Sequence, residues 1–128
     1  MPSLAKSSFT IDNRDNTPVE WNGGPMTRAR WTKTFTGELT GTSVVELILL
    51  GPDGDGPAIY LGVERFDCEL AGRKGGFLLI HSASMLGEAH EASWTIVPGS
   101  GTGELAGLSG RGEITPEHDL ILHYDLEE

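Results

Sequence analysis

The sequence predicts an all-β fold: a single antiparallel barrel of eight strands, closed on itself and occupying residues 1–128. Three observations predict it. Glycine makes up 18 of the 128 residues with no collagen-like period. The chain divides into about eight short apolar or alternating runs joined by clusters of turn formers. No helical period lasts beyond one turn. A meander of short strands either stacks as a sandwich or closes as a barrel, and closure removes the exposed edges. About eight strands leave room inside for side chains or one small ligand. With 38% hydrophobic residues the chain can fill one core but not two.

The elements follow in order. Leu4 to Ile11 is the first run, with Phe9 and Ile11 on one parity; the turn formers Asp12 to Pro18 should end it, and Val19 to Pro25 reads as a loop carrying Trp21. From Met26 to Gly37 the residues alternate, placing Ala29, Trp31, Lys33 and Phe35 on one face and arginines and threonines on the other. Leu39 to Leu50 is rich in β-branched residues and carries Glu46 in its middle, on the face of Val44 and Ile48. Gly51 to Pro57 is a turn. Ala58 to Leu70 forms a long strand with Tyr60, Gly62, Glu64, Phe66 and Cys68 on one side. Gly72 to Gly76 is a hairpin loop, and Phe77 to Leu86 pairs back with Phe77, Leu79, His81 and Met85 on one parity. Gly87-Glu88 turns, and His90 to Val97 is the next strand. The glycine-rich loop Gly99-Ser100-Gly101-Thr102-Gly103 follows, then strands at Leu108 to Ile114 and Leu120 to Leu126.

Several side chains suggest chemistry. Glu46 and Glu64 sit mid-strand among apolar neighbours, where an unpaired carboxylate should have a raised pKa and suit acid–base work. The alternative is that each points outward or pairs with an arginine. Tyr60 lies four residues before Glu64 on the same face, roughly 13 Å along the strand, so the two line one wall. His81 is the histidine best placed for catalysis, and Arg73 could clamp an anionic ligand from its loop. Trp31 and Trp94, with Phe77 and Tyr124, could pack a ligand ring or simply fill a core. The glycine-rich loop could hold an anion on its amides or serve as a tight link across the barrel end. No metal site is expected: there is no Cys–His zinc pattern, and Asp53 to Glu64 places Ala58 where a calcium loop needs glycine.

The net charge of −10 lies wholly on residues 51–128, because residues 1–50 balance. That field repels nucleic acid and anionic lipid. No apolar run is long enough for a membrane helix, the N-terminus lacks a signal-peptide core, and Cys68 is a lone cysteine, so a cytoplasmic location is expected.

The spacing Gly72-Arg73, Gly76-Phe77 and His81, then Trp94, then Val97-Pro98-Gly99-Ser100-Gly101-Thr102-Gly103-Glu104-Leu105, then Gly107-Leu108 and Gly110, then Tyr124 and Leu126, resembles the bacterial family known as domain of unknown function 3224. The Tyr60-x-Gly62-x-Glu64 strand and the Phe35 to Gly41 corner fit it too. The resemblance covers residues 5–126 and implies an eight-stranded barrel similar to allene oxide cyclase, with an interior cavity and no assigned reaction. The expected function is a small-molecule-binding barrel. As an isomerase or cyclase it would shape a mostly apolar substrate in the lumen. Glu46 or Glu64 would be acid or base, and Tyr60, His81 and Arg73 would orient or polarise. The alternatives are a non-catalytic carrier of a small apolar molecule, or a filled structural barrel. No cofactor is implied, and apolar outer faces would suit a homodimer.

Overall fold

Alternation and glycine-rich turns produce eight antiparallel strands. The computed structural model describes residues 3–19, 26–51, 59–84 and 91–126. They are β1 (Ser3–Val19), β2 (Met26–Gly37), β3 (Leu39–Leu50), β4 (Ile59–Leu70), β5 (Arg73–Ser84), β6 (Glu91–Ile96), β7 (Leu108–Ile114) and β8 (Asp119–Leu126), with one 3-10 turn at Gly103–Leu105. Each strand pairs with its neighbour in sequence, and β8 returns to β1 through pairs such as Ala5 with Leu122, closing the barrel. Trp21, Met85, His90 and the turns expected at 52–57 and 87–88 lie outside the described residues.

The two ends of the barrel differ. At the end where β8 finishes, Leu39, Leu70, Phe77, Leu105 and Leu108 are all but fully buried, and Leu79 and Leu120 continue this core toward the middle of the barrel. Phe66 and Phe77 stack there at 4.4 Å between ring centroids. At the other end β1 to β5 extend beyond the short β7–β8 connection, and the core thins to Ala29, Val45, Leu47 and Leu49, with Trp31 and Tyr60 packed against them.

β1 corrects the sequence reading. Asp12 to Pro18 does not end the strand; it pairs with β2, as in Arg14 opposite Trp31 and Pro18 opposite Thr27. The register skips one residue between Ile11 and Asn13, so Asp12 is a β-bulge, and its carboxylate accepts hydrogen bonds from Thr10 at 2.7 Å and from Thr34 at 2.5 Å. Pro18 is tolerated because β8 pairs only with Ser3 to Ser8, which leaves this part of β1 an edge strand, where proline is commonly found. A second correction concerns Arg73, Gly75 and Gly76, which belong to β5; the hairpin bend is only Ala71 and Gly72.

The glycine-rich segment closes the filled end. β6 pairs only with residues Leu79 to Ser84 of β5, so the first half of β5 lacks a strand partner on that side. Side chains from the loop supply one. The amides of Lys74, Gly76 and Leu78 donate to Glu104 Oε1, Thr102 Oγ1 and Ser100 Oγ at 3.1, 3.0 and 3.1 Å. The alternation of Ser100, Thr102 and Glu104 thus matches the every-second-residue amides of a β-edge. The intervening glycines permit the approach: a Cβ on Gly75 would lie 2.0 Å from the Thr102 carbonyl oxygen, and one on Gly101 would lie 1.9 Å from that of Leu105. The loop is a tight link, and it uses its polar groups on the barrel itself.

Candidate functional site

The open end holds a cavity of about 370 Å³. Its walls are mainly apolar and aromatic, with Phe9, Trp31, Val45, Leu47, Tyr60 and Trp94 among the lining residues. Its floor is polar. Lys33, on the β2 parity that carries Ala29, Trp31 and Phe35, points inward and is 4% exposed, and Glu64 from β4 is 1% exposed. The Lys33 ammonium lies 3.4 Å from each Glu64 oxygen and 4.6 Å from the centroid of the Phe9 ring. Ser43 donates its hydroxyl to Glu64 Oε2 at 2.5 Å. His81 Nε2 is 2.7 Å from Glu64 Oε1, and Trp94 donates its indole N–H to His81 Nδ1 at 3.0 Å.

These bonds assign the protons. An indole nitrogen only donates, so Nδ1 accepts and the His81 proton resides on Nε2, facing Glu64. Glu64 is therefore an ionised acceptor held by Lys33, His81 and Ser43. Burial pushes its carboxyl up, but the His81 hydrogen bond, the Lys33 charge and the Ser43 hydroxyl outweigh this and hold it below the usual carboxylate range. The expected raised pKa is thus corrected: burial came with partners. Glu64 is thus held as an anion beneath the cavity at neutral pH.

The structure divides the other candidates. Trp31, Tyr60, His81 and Trp94 converge on the cavity. Phe77 is 2% exposed and lies in the filled core, so it contacts no open lumen. Arg73 and Tyr124 border a smaller pocket of about 230 Å³ near Leu105, at the opposite end. Glu46 points outward: its side chain is 70% exposed, beside Arg30 at 3.9 Å, because Val45 and Leu47 take the inward parity of β3. Among the described residues no group of three His, Cys, Asp or Glu side chains could hold a metal ion. Cys68 is buried and its thiol is pushed up to about 12, first by burial and then by Asp67, so it is unreactive.

Three site residues escaped the sequence reading. Lys33 and Ser43 are two of them; Lys33 could have been found, because a lysine on the Trp31–Phe35 parity needs a buried partner. Arg14 is the third. Its guanidinium lies 5.2 Å from the Trp31 ring centroid, while Trp31 donates its indole N–H to Asn16 at 2.8 Å. Only the bulge brings Arg14 and Asn16 to the lumen side.

The fold and site define a closed eight-stranded antiparallel β-barrel with its main apolar core toward one end and its larger cavity at the other. Residues 5–127 match the family described as "Protein of unknown function (DUF3224)", and the chain belongs to that family. The structure is similar to a crystal structure of a DUF3224-family protein of unknown function from Shewanella oneidensis MR-1. The TM-score is 0.84 at 29% identity, over 100% of this chain and 99% of the other. No curated protein matches the chain.

Proposed function

We propose that the protein binds a small, largely apolar molecule in the open half of its barrel. The observation that carries this reading is the cavity of about 370 Å³, a ligand-sized space with an aromatic wall and few polar groups. Binding is favoured over acid–base turnover because Glu64 is committed to Lys33, Ser43 and His81, while both ring nitrogens of His81 are engaged. The isomerase or cyclase reading rests on Tyr60 and His81, which do line the cavity.

The test is a fluorescence titration with an uncharged probe, N-phenylnaphthylamine. The expected result is saturable enhancement by the wild type. Ala83, 8% exposed, lines the cavity and pairs with Tyr60, so Ala83→Phe should abolish the enhancement in a folded protein. No enhancement with the wild type, or equal enhancement with Ala83→Phe, overturns the proposal. A second copy of the chain would seat on the outer apolar patch of Leu61, Val63 and Ile80, exposed by 45%, 45% and 44%, with Val63 opposite Ile80 across the β4–β5 ladder. Light scattering should then show a dimer that Val63→Lys converts to monomer; a monomeric wild type ends this part of the proposal.

A further inference from the structure

We infer that the ligand is an amphipathic organic anion, its apolar body in the lumen and its carboxylate, sulfonate or similar head against Arg14 at the mouth. The inference rests on the cavity-binding reading and adds the chemical class of the ligand. The chain carries a net charge of −10, yet Arg14, Lys33, His81 and His118 line the cavity and no carboxylate does among the described residues. Two of the bases are already engaged: Lys33 is neutralised by Glu64 beneath it, and His81 is held between Glu64 and Trp94. His118 stacks on Phe9, with ring centroids 5.1 Å apart, at the rim formed by the β7–β8 turn. Arg14 has no ion-pair partner among the described residues and is exposed at the same rim.

Its inward aim comes from the backbone. Ala5, Ser7 and Phe9 face the lumen on the odd parity of β1, so an unbroken strand would turn Arg14 to the outside. The bulge at Asp12 reverses the parity: Asp15 and Thr17 border a groove on the outer face, and Arg14 joins the cavity wall. Bulges commonly re-aim a side chain in this way. The Trp31 ring supports the guanidinium at 5.2 Å, and Asn16 fixes that ring. An arginine held beside an aromatic face can turn its N–H groups toward an anionic head and form paired charge-assisted hydrogen bonds with two of its oxygens.

The test compares two probes with the same ring system, anilinonaphthalene sulfonate and uncharged N-phenylnaphthylamine. The wild type should bind the sulfonate about tenfold more tightly, and added salt should erode only that advantage. Arg14→Gln should lower the sulfonate's affinity about tenfold relative to that of the neutral probe and so abolish the preference; Arg14→Lys should restore part of it. Equal wild-type affinities, or an Arg14→Gln change that weakens both probes alike, overturn the inference and leave the cavity reading standing. Binding of neither probe overturns both.

Discussion

Trp94 donates its indole N–H to Nδ1 of His81, and that bond fixes which imidazole nitrogen carries the proton. Nitrogen NMR of the wild type should therefore show one neutral tautomer, protonated at Nε2. Trp94→Phe removes the donor, and a second tautomer should appear. The lost hydrogen bond should cost about 1 kcal/mol of stability, read from urea unfolding. An unchanged tautomer in the variant would show that Glu64 alone sets it.

The Lys33–Glu64 pair makes a prediction of non-additivity. Glu64→Leu leaves a buried ammonium and Lys33→Met leaves a buried carboxylate; each should cost about 3–5 kcal/mol. The double variant should recover part of that loss, because two apolar side chains replace two desolvated charges while the Ser43 hydroxyl and the His81 N–H still lack their acceptor. Additive losses in denaturant unfolding would contradict the pairing.

Acid should reveal the same carboxylate. The folded-state pKa of Glu64 lies below its unfolded value of 4.5, so the unfolded chain takes up the proton first as pH falls. The stability contributed by the ionised form is present in full above about 4.5 and declines below it, through the folded pKa. Glu64→Gln should flatten the stability profile in that acid range relative to wild type. Parallel profiles would show that other carboxylates govern acid unfolding.

At the filled end, Gly75→Ala should cost about 3 kcal/mol or more, since its Cβ would meet the Thr102 carbonyl oxygen at 2.0 Å. Gly99→Ala should cost only about 1 kcal/mol, from its φ of +82° with nothing within 4 Å of the new carbon. Thr102→Val leaves the Gly76 amide without its acceptor and should fall between the two. Equal melting shifts for the two glycine variants would contradict the packing described for the loop.

By itself the sequence determined the strand count, the β2–β3 corner at Gly37 and the face shared by Tyr60, Glu64 and Phe66, while it leaves the glycine-rich loop at Gly99 to Gly103 open between an anion site and a tight link. Period-two alternation and glycine punctuation are local signals, and a pleated strand obeys them wherever it lies. Only the tertiary structure decided which face turned inward, and so separated Glu64 in the interior from Glu46 on the surface. It also joined Lys33 to Glu64, so a carboxyl expected to have a raised pKa has a lowered one. Arg14 depended on it most: a one-residue bulge inside a run of turn formers reverses parity, and its cause is cross-strand pairing with β2. The hollow itself is equally non-local, because it exists only where β1 to β5 rise past the β7–β8 turn once the ring of strands has closed.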